Sequence, residues 1–171
     1  MTFITVSNGK NKSGYNPNDD ILTPRHIAKR IIEQLPIQVS DKILDGFRGG
    51  GAFYDQFPAG RHYWCEIKQG KDFFDFDEHV DWLVSNPPYS KFTEVMKHSY
   101  EIADNIVYLI PLNKIVSSWG RVLDLDNYGG IKKIWIMPAC KCGFPFGFPA
   151  CAVWIKRGYK GNPEIELWKD L

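Results

Sequence analysis

The sequence predicts an α/β fold, a single doubly wound and mainly parallel sheet with an antiparallel hairpin at one edge. Two observations carry this. Short apolar runs alternate with segments of helical periodicity, so successive strands need crossover connections and lie parallel, covered on both faces. The last two apolar runs have no helical pattern between them, which suits a hairpin. The chain of 171 residues is long enough for one hydrophobic core and short for two domains.

Residues 1–18 read as a flexible arm rich in Asn, Gly and Ser, and residues 19–171 as the domain. Thr23 is expected to cap a helix with Pro24 in its first position. Ile27, Ala28, Ile31, Ile32 and Leu35 give that helix an apolar face, and Pro36 ends it. Lys42 to Asp45 reads as a strand, followed by a glycine-rich turn from Gly46 to Gly51 and a short helix from Ala52 to Phe57. His62 to Ile67 is the second strand. Trp82 to Ser85 is the third, stopped by Asn86-Pro87-Pro88. A helix from Lys91 to Glu101 leads to a strand from Asn105 to Ile110, closed by Pro111. Lys133 to Met137 and Ala152 to Lys156 form the hairpin around a loop rich in Gly, Pro and Phe.

With 44% hydrophobic and 24% charged residues, the composition is that of a globular protein and not a disordered one. A net charge of +1 provides no broadly basic face of the kind that grips long duplex DNA, so any nucleic-acid contact relies on local patches. No apolar run approaches the roughly 20 residues of a membrane span, and Met1 to Tyr15 contains no apolar signal segment. Cys65, Cys140, Cys142 and Cys151 form no secreted disulfide framework; reduced thiols in a cytoplasmic protein are expected. A zinc site on Cys140, Cys142 and Cys151 lacks a fourth ligand and the C-x-x-C spacing of zinc ribbons, so no metal is expected.

Open parallel sheets bind ligands beyond the carboxyl ends of their strands, and the chemically suggestive residues fall there. Asp45-Gly46-Phe47-Arg48-Gly49-Gly50-Gly51 lets the backbone turn sharply and approach a ligand closely. It is neither a dinucleotide fingerprint nor a P-loop, and Asp45 suits a cationic amine better than a pyrophosphate. Glu66, ending the second strand, is placed to accept the hydroxyls of a ribose. Asp72-Phe73-Phe74 offers a carboxylate for an adenine amino group and an aromatic face, with one of the two rings expected in the core. In Asn86-Pro87-Pro88-Tyr89 the prolines remove two N–H donors. Carbonyls and the Asn86 side-chain oxygen remain as acceptors for the N–H groups of a planar amine, and Tyr89 gives a stacking face. His26, His62, His79 and His98 are expected in surface or structural roles.

Together these residues resemble the class I S-adenosylmethionine-dependent methyltransferases, in particular the amino-methylating DNA adenine-N6 group. The resemblance runs from about Asp20 to Arg157 and implies a Rossmann-like sheet. Its N-P-P-Y tetrapeptide is highly specific in this context. Asp45, Phe47, Gly49 and Gly51 match a family loop that reads roughly Asp-Pro-Phe-x-Gly-x-Gly; Gly46 departs where proline is frequent, and Arg48 where a small residue is. The resemblance implies that Glu66 binds the cofactor ribose, Asp72 the adenine amino group and Phe73 the adenine ring. It implies further that Asp20 to Pro24, with Thr23 and Pro24 opening a helix, closes over the methionine moiety, whose carboxylate suits a helix N-terminus. Phe144 or Phe146 would stack on the target base.

The expected reaction is in-line methyl transfer from S-adenosylmethionine to an exocyclic amine held by Asn86 and the Pro87 carbonyl, with Pro88 and Tyr89 completing the site. Asn in first place is more like adenine-N6 or glutamine-N5 methylation than cytosine-N4. Adenine in DNA is the expected substrate, with RNA, protein glutamine or a non-catalytic binding module as alternatives. The stretch Lys114 to Lys133, with Lys10, Lys12 and Arg25, is the expected nucleic-acid contact, and a homodimer or partner protein the expected aid to target reading.

Overall fold

The computed structural model describes residues 22–138, 142 and 150–170. The arm 1–18, the lysines Lys10 and Lys12, and both Phe144 and Phe146 lie outside the described residues. The elements run α1 (Arg25–Glu33), β1 (Lys42–Asp45), β2 (Arg61–Trp64), β3 (Val80–Ser85), α2 (Phe92–Ile102), β4 (Ala103–Pro111), α3 (Asn113–Val116), α4 (Trp119–Tyr128), β5 (Gly129–Met137), β6 (Ala150–Arg157) and β7 (Glu164–Leu167).

One seven-stranded sheet has the order β2-β1-β3-β4-β6-β5-β7. Strands β1 to β4 pair in parallel. Strand β6 runs antiparallel to both β4 and β5, which gives the expected antiparallel pair. Because β6 enters between β4 and β5, β5 points the same way as β4.

The alternation of side chains along each strand divides the core in two. Ile43, Trp82, Val84, Val107, Leu109 and Trp154 pack with Ile27, Ile31 and Ile32 of α1. Leu44, Leu83, Ile106, Tyr108, Val153 and Ile155 pack on the other side with Val95 and Met96 of α2, Ile115 of α3 and Leu125 of α4. Burial on both faces explains why the central strands are nearly continuous apolar runs.

Local structure departs from expectation in several places. Helix α1 begins at Arg25 with Pro24, in extended conformation, as its N-cap. Proline supplies no capping side chain, and Thr23 lies one residue too early to cap. The segment after the glycine turn is a 3-10 turn, Tyr54–Gln56, and not an α-helix. Residues 114–133 fold into most of α3, all of α4 and the start of β5. Strand β7 was not expected; it pairs in parallel with β5 and is anchored by Trp168, which is buried and donates its backbone N–H to the Ile136 carbonyl at 2.9 Å. Lys133 bridges Glu164 (2.6 Å) and Glu166 (2.9 Å), but exposed ion pairs contribute little, about 0–1 kcal/mol. Trp168 burial and the strand ladder therefore do most to hold β7. Among the described residues no helix is long and apolar enough to cross a membrane.

Candidate active site

At the carboxyl end of β1 the chain turns through the glycine loop, and the carboxylate of Asp45 organises that turn from inside. Asp45 is 0% exposed. Its Oδ1 accepts the Ser85 hydroxyl (2.6 Å) and the Phe47 N–H (3.3 Å), and its Oδ2 accepts the Tyr54 N–H (3.2 Å). Ser85 Oγ also accepts the Phe47 N–H at 3.0 Å. Burial pushes the Asp45 pKa up to about 6, against the opposing pull of the bonds from Ser85, Phe47 and Tyr54 and of the Arg48 charge. The sequence suggests a carboxylate that orients a cationic amine directly or through water; the structure buries it and bonds it to Ser85, Phe47 and Tyr54, so Asp45 orders the loop. Ser85, which the sequence reading took only as the end of a strand, ties the tips of β1 and β3 together.

The loop itself is shaped by sterics. Gly49 (φ +48°) and Gly51 (φ +80°) occupy the left-handed region, where residues with a Cβ are strained. Among the described residues, a Cβ on Gly49 or Gly50 would meet only Leu22 Cδ2, at 3.8 or 3.7 Å. The backbone there is therefore open to close approach. Gly46 is required for a different reason: a Cβ would lie 2.9 Å from Phe73 Cδ2 and Cε2 and 3.2 Å from Leu83 Cδ1. These contacts leave no room for a side chain at position 46. Gly46→Ala is expected to destabilise the fold by about 1–3 kcal/mol through overpacking, read as a lowered melting temperature; an unchanged one would contradict this packing.

Arg48 turns away from the open backbone. Its guanidinium lies 5.1 Å from the centroids of both Tyr54 and Trp64 and 3.5 Å from Asp55. Asp55 also pairs with Arg25 at 3.0 Å, so Arg25 is engaged in joining α1 to this segment.

Glu66 follows β2 and faces the loop: its Oε2 accepts the Gly49 N–H (2.9 Å) and its Oε1 the Lys68 N–H (3.0 Å). Asp72 caps the following 3-10 turn, accepting the Phe74 N–H at 3.1 Å. Phe73 is the core ring of its pair, 2% exposed, and Phe74 is the exposed one. Phe47 covers Phe73 with ring centroids 4.6 Å apart. Phe47 is half-buried, and with the exposed Phe74 it flanks the buried Phe73 ring.

Asn86-Pro87-Pro88-Tyr89 lies at the carboxyl end of β3, next along the sheet from β1. Asn86 Nδ2 donates to Thr23 Oγ1 at 3.2 Å, and the Tyr89 hydroxyl donates to Asn86 Oδ1 at 3.2 Å. Lys114, just beyond β4, donates to the Tyr89 carbonyl (3.3 Å) with its ammonium 5.6 Å from the Tyr89 ring centroid. Sequence reasoning placed Lys114 among nucleic-acid contacts and missed this link; its position directly after a strand end was the available signal.

Two histidines make contacts outside this cluster. His98 Nε2 is 3.0 Å from the Phe76 carbonyl and His79 is 3.1 Å from Asp104. Burial raises the Cys65 thiol to about 11 and the Cys151 thiol to about 12, which leaves both poor nucleophiles and poor metal ligands near neutral pH. Among the described residues no group of three or more His, Cys, Asp or Glu is gathered to hold a metal.

No family model matches the sequence, and no curated protein does. Solved structures do. A Listeria monocytogenes protein assigned as a class I S-adenosylmethionine-dependent methyltransferase superposes with a TM-score of 0.67 at 10% identity, covering 93% of this chain and 69% of that one. The chain has the class I methyltransferase fold. The 23S rRNA methyltransferase ErmE shares this fold, with a TM-score of 0.58 at 14% identity over 82% of this chain and 72% of that one. So does the modification subunit of a type I restriction enzyme from Vibrio vulnificus, at 0.60 and 11% identity over 89% of this chain. The present chain spans about half, 47%, of the length of that subunit. Within the class I methyltransferase fold the open glycine backbone, Glu66 and Asn86 all sit at the carboxyl ends of parallel strands, the edge where such sheets bind ligands.

Proposed function

We propose that this chain is an S-adenosylmethionine-dependent N-methyltransferase acting on an exocyclic amino group, adenine N6 in DNA. The observation that carries the proposal is Asn86, whose amide is held at both ends at the tip of β3, beside a loop of three glycines without Cβ atoms.

The residues fit the cofactor. Gly49 and Gly50 leave room that a Cβ would take, and Glu66 presents acceptors that a ribose diol can share with the Gly49 N–H. Asp72 would hold the adenine amino group and Phe47, backed by Phe73, would flank its ring. Thr23 and Pro24 lead into α1, whose N-terminus suits the methionine carboxylate. S-adenosylmethionine, when bound, supplies an electrophilic methyl group.

The chain's own residues orient the acceptor. Asn86 Oδ1 and the Pro87 carbonyl accept the two N–H groups of the amine, and neither Pro87 nor Pro88 has an N–H to compete. Both bonds draw electron density toward the nitrogen and favour its pyramidal form. Tyr89 offers its ring to the target base, with Phe144 or Phe146 proposed for the opposite face. The attacked nitrogen becomes acidic as it gains the methyl, so no base of tuned pKa is needed; positioning and acceptor geometry supply the catalysis.

For DNA, the proposed contact surface lies beside Tyr89 on α3 and α4. This stretch exposes Val116 (64%) and Trp119 (75%), while Arg121 is bonded to Thr93 (3.1 Å) and Ser117 (2.6 Å). A tryptophan so exposed suits stacking on an unpaired base, worth about 1–3 kcal/mol. Trp119→Ala is expected to weaken single-stranded DNA binding about tenfold or more with an unchanged melting temperature. Fluorescence anisotropy with a labelled oligonucleotide checks this, and equal affinity would remove Trp119 from the interface. Reading of a target sequence is assigned to a second copy or a partner protein.

Incubation with methyl-labelled cofactor and, separately, duplex DNA, single-stranded DNA, RNA and protein tests the substrate. Label in DNA is expected. Label confined to RNA or to protein would keep the chemistry and replace the substrate.

A further inference from the structure

The side chain of Asn86 is gripped by two hydroxyls of unequal chemistry. Its Nδ2 donates to Thr23 Oγ1 and its Oδ1 accepts from Tyr89, each at 3.2 Å. A phenol is more acidic than an aliphatic hydroxyl and is the better donor, whereas the oxygen of threonine is the better acceptor. The pair therefore favours one orientation of the amide, nitrogen toward Thr23 and oxygen toward Tyr89. The reversed amide would present N–H to the N–H of an incoming amine, donor against donor.

We infer that Thr23 is a positioning residue for methyl transfer: by engaging Asn86 Nδ2 it keeps Oδ1 aimed as an acceptor, whose place the Tyr89 hydroxyl holds until the substrate amine takes it. The inference rests on the N-methyltransferase reading and adds to it a role for the Thr23 side chain toward the amine.

The surroundings of both hydroxyls suit these tasks. Thr23 precedes Pro24, which disfavours helical backbone conformations at Thr23 and so narrows the positions from which its side chain can reach Asn86. The chain just after Pro24 is secured, because Gln56 donates to the Arg25 carbonyl at 2.9 Å and Arg25 pairs with Asp55 at 3.0 Å. On the other side, the Tyr89 hydroxyl also lies 3.5 Å from the Leu109 carbonyl. It thus has a second acceptor to turn to when the substrate occupies Asn86 Oδ1. The neighbour of Thr23 is Leu22, whose Cδ2 overlies Gly49 and Gly50. One short segment therefore touches both the glycine loop and the amine-holding amide, although Thr23 and Asn86 are 63 residues apart.

The test compares wild type with Thr23→Val, which keeps the shape without the hydroxyl, with Thr23→Ser, which restores it, and with Thr23→Ala as a smaller variant should valine disturb folding. Three quantities are read: kcat, the cofactor Kd, and the side-chain amide resonance of Asn86 in nitrogen-15-labelled protein without ligands. Thr23→Val is expected to shift that resonance and lower kcat by about tenfold or more, with the cofactor Kd held within about twofold, since small misplacements at a reacting centre cost large factors in rate. Thr23→Ser is expected to restore both. An unmoved resonance, a wild-type kcat in Thr23→Val, or a loss explained wholly by cofactor Kd would overturn the inference. A wild type that transfers no methyl group would overturn the N-methyltransferase reading instead, and the resonance would still report separately whether Thr23 sets the amide.

Discussion

Asn86→Ala is expected to lower the rate of methyl transfer by about 10²–10³-fold, the usual cost of removing one preorganised group from a reacting centre. Cofactor affinity should stay near that of wild type, because in the proposed arrangement Asn86, bonded to Thr23 and Tyr89, holds the amine and not the cofactor. The variant loses a few ordinary hydrogen bonds at a half-buried position, so a stability loss of about 1–2 kcal/mol is expected, too little to account for the rate. Single-turnover transfer at saturating cofactor, together with a calorimetric cofactor Kd, separates the two effects. A fall in cofactor affinity that accounts for the whole rate loss would move Asn86 out of the role given to it.

The second large effect concerns pH and stability. The folded pKa of Asp45 is about 6, against 3.8 for the unconstrained side chain. A carboxyl whose pKa is raised by folding contributes most below the unfolded value, where it is protonated in both states. That contribution is lost as pH rises through the folded value, because ionising a buried acid opposes the fold. A displacement of this size corresponds to about 3 kcal/mol, expended between about pH 4 and pH 6. Asp45→Asn cannot ionise. Compared with wild type, its unfolding free energy in urea should therefore lack this downward trend across the same interval, whatever offset the changed hydrogen bonding introduces. Parallel pH curves for the two proteins would contradict the buried, raised carboxyl.

Much of this fold is legible in the sequence because its central strands are buried on both faces. Lys42 to Asp45, Trp82 to Ser85 and Asn105 to Ile110 are apolar runs stopped by glycine or proline, and such punctuation is a backbone requirement that sequence states directly. Helix α4 was hidden for the opposite reason. Its sequence, WGRVLDLDNY, contains Gly120, Val122 and several Asp and Asn residues of low helix propensity, and Ser118 makes no side-chain capping bond. It is helical because Leu125 and Tyr128 reach the core. Strand β7, Glu-Ile-Glu-Leu, carries two charges in four residues and is recognisable only once Lys133 and β5 lie beside it.

The candidate site divides along the same line. Its glycines and prolines announced themselves, since close approach and missing donors demand those residue types. The directions of its acidic and aromatic side chains did not. Asp45 points inward because Ser85 meets it from a neighbouring strand 40 residues away, and Phe73 points inward because Gly46 leaves it room. Long-range partners of this kind have no local signature.

The most direct test of the central claim is the chemical identity of the methylated product. Duplex DNA treated with the protein and S-adenosylmethionine, digested to nucleosides and analysed by mass spectrometry, should contain N6-methyladenine. The product should fall to background with Asn86→Ala. A methyl group on carbon, as in 5-methylcytosine, or no methylated nucleic acid or protein at all at saturating cofactor, would contradict the assignment of Asn86-Pro87-Pro88-Tyr89 as a site for amino-group methylation.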